Sequence, residues 1–136
     1  MKTGGQLIVD TLKANGVERL FCVPGESYLA VLDALVDSGV GVTVCRQEGG
    51  AAMMAEAWAK TTGRPGVCFV TRGPGATNAS AGVHVAKQDS TPMVLFVGQI
   101  ARTDRDGLPI APGLIHHHDR GSQYVSFAFT QRLIDE

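Results

Sequence analysis

The sequence has no excess charge, no long apolar run and no paired cysteines, and each absence removes a class of function. Its 136 residues carry 12 Lys and Arg against 13 Asp and Glu, a formal net charge of −1. A balance so near neutral supplies neither the basic face that nucleic-acid binding needs nor a polybasic segment for a membrane surface. No apolar stretch approaches the ~20 residues that span a bilayer, and the amino terminus reads as an amphipathic helix instead of a signal-peptide core. A cytoplasmic location is therefore the expectation. Cys22, Cys45 and Cys68 stand singly inside apolar, strand-like runs without C-x-x-C spacing. They read as buried, reduced and structural, which argues against a metal or redox role. No G-K-[ST] follows a glycine loop, so a P-loop is excluded. The length suits one domain with a small core.

What is present is an alternation of strand-like and helical segments. Thr3 caps a predicted helix to about Asn15, with Leu7, Ile8, Leu12 and Val17 as its inward stripe and Gly16 as its stop. Residues 18–23 read as a strand, Pro24-Gly25 as a turn, and residues 27–36 as a helix with Leu29, Leu32 and Leu35 or Val36 inward. A strand at 41–45 leads to Glu48 and a helix of strong formers that ends near Gly63. A third strand at 66–71 feeds a helix to about Lys87, and a fourth covers 92–98. Short loops between them predict an α/β fold, a parallel sheet with right-handed crossovers and helices on both faces. His84 reads as a surface or packing residue of the last helix, and Trp58 and Met53-Met54 as packing residues.

The unusual residues sit at three strand ends: Pro24-Gly25-Glu26, Gln47-Glu48-Gly49-Gly50, and Thr71-Arg72-Gly73-Pro74-Gly75-Ala76-Thr77-Asn78. Parallel strands bring all three to one edge, where ligands of open α/β sheets collect. Glu48 follows the β-branched run Val42-Thr43-Val44 and opens a helix of small residues. It is either a ligand-facing carboxylate or a solvated first-turn glutamate favoured by the helix dipole. The third stretch invites comparison with a dinucleotide fingerprint. Asn78, however, replaces the third glycine, and Pro74 removes a backbone donor that pyrophosphate would need. One carboxylate, backbone carbonyls and small residues remain, a set better suited to a flat heteroaromatic ring than to phosphates.

Together with Gln88-Asp89-Ser90-Thr91-Pro92 and Gly98-Gln99, the motifs Val23-Pro24-Gly25, Arg46-Gln47-Glu48-Gly49-Gly50-Ala51-Ala52 and residues 71–78 carry a likeness. They resemble the N-terminal pyrimidine-binding domain of thiamine-diphosphate-dependent enzymes, in the acetolactate synthase, carboligase and decarboxylase group. The likeness covers about residues 4–105, in order and at family spacing. It implies that Glu48 is the catalytic carboxyl that hydrogen-bonds N1′ of the aminopyrimidine. There it promotes the imino tautomer whose 4′-nitrogen takes the thiazolium C2 proton, for attack on a 2-oxo acid. A partly desolvated carboxyl suits that exchange. The resemblance also implies cofactor-binding places for Pro24 and Gly25, lining the pyrimidine pocket, and for Thr71, Pro74 and Asn78, shaping the third loop. Plain turn and cap roles are the alternative for each, and Gln88 and Gln99 take lesser parts. Gly50, Ala51, Ala55 and Ala59 give the Glu48 helix a thin face. The family sets a partner subunit there, so a homo-oligomer, or association with a thiamine-diphosphate enzyme subunit, is the expected assembly.

The family holds the diphosphate and its metal on a second domain, through a Gly-Asp-Gly start and a later asparagine. The asparagines of this sequence are Asn15 and Asn78, and Asp106-Gly107 has no downstream partner. Mg²⁺ is thus expected only through a domain this sequence lacks, and the chain is expected to be a truncated product, inactive alone. Past residue 105 the family register is lost. Gly107-Leu108-Pro109-Ile110-Ala111-Pro112-Gly113 is a composition break, and residues 114–124 resemble the second-aspartate segment of insertion-sequence transposases with an integrase-like core. Asp119 would be one of three metal-binding acids, but the first and third have no counterpart, so two-metal chemistry is not assembled. A metal site at His116, His118 and Asp119 is the rival, weakened because neighbours on a strand alternate faces. The expected division is an incomplete pyrimidine-binding domain at 1–105 and a transposase-like remnant or disordered tail at 106–136. The expected function is the pyrimidine-binding half of an enzyme acting on 2-oxo acids. The alternative is a non-catalytic module that joins an intact subunit. Neither nucleic acid nor membrane is an expected partner.

Overall fold

The computed structural model describes residues 1–100. The boundary at 105 and the transposase, metal and tail readings of 106–136 lie outside the described residues. In chain order the elements are α1 (Gly4–Ala14), β1 (Arg19–Cys22), a 3₁₀ turn (Glu26–Tyr28) running into α2 (Leu29–Leu35), β2 (Gly41–Val44), α3 (Glu48–Thr62), β3 (Gly66–Val70), α4 (Pro74–Gln88) and β4 (Met93–Val97). The strands pair in parallel in the order β2-β1-β3-β4. The chain steps outward from β1 to β2, crosses back over β1 to β3, and continues to β4. Strand order therefore reverses between β1 and β3, the switch point at which a crevice opens beyond the carboxyl ends of an open α/β sheet.

Side-chain alternation along the inner strands sorts the core into two layers. Leu20, Cys22, Val67 and Phe69 face Val9, Leu12, Tyr28, Val31 and Leu35 of the α1 and α2 layer. Phe21, Cys68 and Val70 face Ala51, Ala52, Ala55 and Ala79 of the α3 and α4 layer. Every residue of β3 is buried, which its unbroken apolar run dictates for a strand covered on both sides. The fold is the expected parallel sheet with helices on both faces. Thr3 and Gln6 form a reciprocal capping box on α1, and Gly63 closes α3 in the left-handed region at φ 68°. Among the described residues no helix is long and apolar enough to cross a membrane.

Helix phase departs in part from the expected stripes: Ile8, Leu12, Val17, Leu32 and Leu35 pack on the core as expected, and Leu7, Leu29 and Val36 do not. In α1 the inward residues are Gly5, Val9 and Leu12, and Leu7 is exposed. The helix docks through Gly5, where an added Cβ would stand 2.1 Å from the Ala30 carbonyl oxygen, and that close approach sets the i, i+4, i+7 stripe. In α2, Val31 and Leu35 are inward while Leu29 and Val36 are exposed. The 3₁₀ start, with three residues per turn, rotates the faces of α2 away from the phase of an uninterrupted α-helix.

In α3 the alanine face is spent inside the chain. Ala51, Ala52, Ala55 and Ala59 are no more than 1% exposed, while Gly50 is open to solvent. A Cβ at Gly66 would stand 2.0 Å from the Ala55 carbonyl oxygen, and one at Gly82 would stand 2.5 Å from the Ala52 Cβ. The thin face seats α3 on β3 and α4, which corrects its assignment to a partner subunit. Met53 and Met54 point outward, correcting their reading as packing residues. Trp58 does pack, edge-on to Phe21 at 6.2 Å with Arg19 over its ring. The buried Glu56 accepts from Thr91 Oγ1 at 3.2 Å and pairs with Lys60 at 2.6 Å, and Lys60 also reaches Asp89. This network ties α3 to the turn between α4 and β4. Replacing Gly66 by alanine drives a methyl into fixed backbone, so a loss of about 3 kcal/mol is expected. A lowered urea midpoint at unchanged slope is the measurement that checks it.

Candidate functional site

The site lies at the carboxyl edge of the sheet. Beyond β1, Gly25 runs extended, and an added Cβ there would come 3.0 Å from the Thr71 Cβ. Ser27 Oγ and Thr71 Oγ1 share a hydrogen bond of 2.7 Å, which joins the loop after β1 to the loop after β3. The Tyr28 hydroxyl donates to the Val23 carbonyl and, at 3.5 Å, to that of Phe69. Gly98 N donates to the Val70 carbonyl at 2.8 Å, and a Cβ on Gly98 would fall 2.3 Å from Ser27 Oγ. Ser27 is thus wedged between three strand ends. Its sequence context gives no signal of this, because a serine two residues past a Pro-Gly turn looks like a helix cap and nothing more.

Glu48 is the first residue of α3 and half-buried. The preceding Gln47 caps the helix, its Oε1 accepting from Gly50 N at 2.7 Å. Glu48 Oε2 accepts from Asn78 Nδ2 at 3.0 Å, across from α3 to α4. Its other oxygen, Oε1, has no hydrogen bond among the described residues, and it lies 3.5 Å from the point a Cβ on Gly75 would occupy. That same Cβ would press on Thr71 Cγ2 at 2.8 Å, and one on Gly49 would press on the Asn78 carbonyl oxygen at 3.1 Å.

The structure therefore brings Gly25, Glu48, Thr71 and Asn78 into one chain of contacts, with Ser27, Gly49 and Gly75 as unforeseen members. Pro24 and Pro74 are exposed. Pro74 opens α4, a position where a missing N–H removes no intrahelical hydrogen bond. Gln88 closes α4 at the far end from Asn78, Gln99 Oε1 accepts from Ile100 N, and His84 is exposed. A hollow of about 1080 Å³ lies at the opposite, amino-terminal edge, lined among others by Leu12, Val17, Arg19, Trp58 and Arg64. None of the strand-end residues above lines it. Among the described residues no group of three or more His, Cys, Asp or Glu is placed to hold a metal.

Residues 2–125 match the family of thiamine pyrophosphate enzymes, N-terminal TPP binding domain. The chain belongs to that family. The match continues past residue 105, the boundary expected from the motifs. Over 98 residues the chain is 47% identical to the acetolactate synthase isozyme 2 large subunit of Escherichia coli K12, covering 72% of this chain and 18% of that subunit. Over 102 residues it is 44% identical to the acetolactate synthase of Bacillus subtilis 168, covering 75% and 18%. An uncharacterized protein of Haemophilus influenzae is 48% identical over 99 residues, 73% of this chain and 37% of its own length. The chain thus spans under two-fifths of each of these relatives.

The cysteines of this TPP-binding domain supply no nucleophile at the site. Cys22 and Cys68 are buried and Cys45 is half-buried, a correction to the expectation that all three are enclosed. Burial pushes the Cys68 thiol up to about 12, with Cys45, Cys22 and Glu48 adding to the effect, and burial raises Cys22 as well. Below those values both remain protonated thiols. A disulfide reagent at pH 8 is expected to modify Cys45 first and to reach Cys22 and Cys68 only on unfolding. Equal rates for all three thiols in the native chain would contradict the layering.

Proposed function

We propose that this chain forms the aminopyrimidine half of a thiamine-diphosphate site of acetolactate-synthase type, with Glu48 as the residue that exchanges a proton with ring nitrogen N1′. The observation that carries the reading is the state of the Glu48 carboxylate. It is half-buried at the switch edge, with one oxygen engaged by Asn78 and the other, on the side of Gly75, without a hydrogen bond among the described residues. A carboxyl so placed suits a nitrogen that both accepts and returns a proton. Gly25 offers backbone to a flat ring, Thr71, Pro24 and Pro74 form its surroundings, and Asn78 reaches it through the Glu48 carboxyl. The cofactor, when bound, supplies the electron sink for decarboxylation and carboligation of 2-oxo acids.

Among the described residues no group of three or more His, Cys, Asp or Glu is placed to hold the Mg²⁺ that accompanies the diphosphate. On this reading the chain alone binds thiamine diphosphate weakly, with no response to Mg²⁺, and decarboxylates nothing. Assembly with a second copy or with an intact synthase subunit belongs to the same proposal. With the alanine face enclosed, the outward Met53, Met54 and Val83 of α3 and α4 are among the exposed apolar side chains available for it. The three free cysteines suit a reducing, cytoplasmic compartment. The transposase-like reading of the tail rests on residues 114–124 alone.

Mixing the chain with the diphosphate-binding domain of a related synthase is expected to restore hydrogen-deuterium exchange at C2 of thiamine diphosphate. Glu48→Gln in the same mixture is expected to lower the rate at least about 100-fold, the usual scale of a lost general acid or base. Exchange that survives Glu48→Gln, or tight Mg²⁺-dependent binding by the chain alone, would overturn the reading.

A further inference from the structure

We infer that Asn78 is a positioning residue that decides which oxygen of Glu48 carries the proton. A carboxyl group has two oxygens, and an unrestrained one shares its proton between them by rotation. Here Oε2 accepts an N–H from Asn78 Nδ2 at 3.0 Å. In a neutral carboxyl the carbonyl oxygen is the better acceptor, so while Nδ2 donates to Oε2 the O–H is favoured on Oε1. Oε1 is the oxygen without a hydrogen bond among the described residues, on the side of Gly75. While Glu48 is ionised the opposite amide orientation would set Asn78 Oδ1 against the carboxylate, so Nδ2 is already on Oε2 when the proton arrives.

The backbone holds this arrangement. Gly49 lets the first turn of α3 approach the Asn78 carbonyl, where a Cβ would stand at 3.1 Å. One helical turn further on, Ala52 and Gly82 bring the two helices into contact. Asn78 is itself exposed, and it is in the second turn of α4, so its side chain is not fixed by burial. Its role is to act on Glu48.

Two measurements on the full chain separate this proposal from the pyrimidine-site reading, on which its ligand arm rests. The first needs no ligand. With ¹³C-labelled glutamate, the difference infrared spectrum between the chain and its Glu48→Gln variant at acid pH isolates the Glu48 carbonyl stretch. A carbonyl accepting from Asn78 absorbs at lower frequency, so Asn78→Leu is expected to shift the band upward and Asn78→Gln, which keeps a donor, to restore it in part. An unmoved band in Asn78→Leu would overturn the proposal. The second is a double-mutant cycle on thiamine diphosphate affinity, followed by amide chemical shifts. Asn78→Leu is expected to weaken binding roughly tenfold, equivalent to about 1.4 kcal/mol, when Glu48 is present, and to have no further effect in a Glu48→Gln background. An equal loss in both backgrounds would mean that Asn78 touches the ligand itself, which also overturns it. If the unmutated chain bound no thiamine diphosphate, the pyrimidine-site reading would fall, and the infrared band would still decide the role of Asn78.

Discussion

The structure depends on the near absence of side-chain volume between α3 and its two neighbours. Both α3 and α4 are crossovers between parallel strands, so they run side by side in the same direction, and their contacts repeat at a nearly constant offset. Glu48 meets Asn78, Ala52 meets Gly82, and Lys60 meets Asp89. The α3 members of that series are spaced at multiples of four residues, the stripe along which an α-helix presents one face. At the middle contact an alanine faces a glycine, and a methyl on Gly82 would lie only 2.5 Å from that of Ala52. Larger residues there would separate the helix axes, and the Glu48 to Asn78 hydrogen bond at the open end would be the first contact to part. At the other end the buried Glu56 with Lys60, Asp89 and Thr91 resists the same separation. A charge-assisted bond to a buried carboxylate is worth more than an exposed surface pair, so this end anchors the helix pair.

The architecture was legible because its signals are local and repeated. Apolar runs of four to five residues that alternate with helical segments through short connections leave little choice but a parallel sheet. The same economy singles out one edge: Gly25, Glu48, Thr71 and Asn78 stand at the ends of three different strands, and parallel topology alone gathers them. Helix phase was less legible. Leu7 and Leu29 look like core residues, and they are overruled by a glycine that docks, Gly5, and by a 3₁₀ turn, neither visible as an apolar period. The α3 alanines mark a thin face without saying what lies against it, since an intramolecular helix and a partner subunit ask for the same small residues. The pairing of Glu56 with Thr91 joins residues 35 positions apart, and nothing in either local sequence announces the other.

The two edges of the sheet carry different chemistry for a topological reason. At the amino-terminal edge, Arg19 reaches Thr43 and Trp58, and Arg64 pairs with Glu18, so the charged groups there are largely answered by neighbours. At the carboxyl edge the loops after β1 and β3 leave toward opposite faces and are joined by the Ser27 and Thr71 hydroxyls, while the Asn78 amide joins the first turns of α4 to the start of α3. Each of these bridges is a hydrogen bond between side chains from separate segments. Such bonds set the distance between loops more closely than apolar contact does, because their strength falls steeply with length and angle.

A first-turn glutamate stabilised only by the helix dipole would be served equally well by water, and it would make no demand on residues 30 positions away. The glycines around Glu48 argue for a stricter requirement. Glycine within a helix costs roughly 0.5–1 kcal/mol relative to alanine, yet Gly49 and Gly75 both occupy first turns. Both have a reason in the contacts. Gly49 admits the Asn78 carbonyl, and Gly75 clears Thr71 on the side of Glu48 Oε1. Gly50, whose added Cβ would meet nothing nearer than 3.8 Å, has no such reason in the structure. Helix stability is thus given up where α3 and α4 draw together beside Glu48 and where Thr71 packs against the first turn of α4. A solvated capping residue needs neither condition. The carboxyl proposed to meet a ring nitrogen from one side, while Asn78 holds it from the other, is served by both.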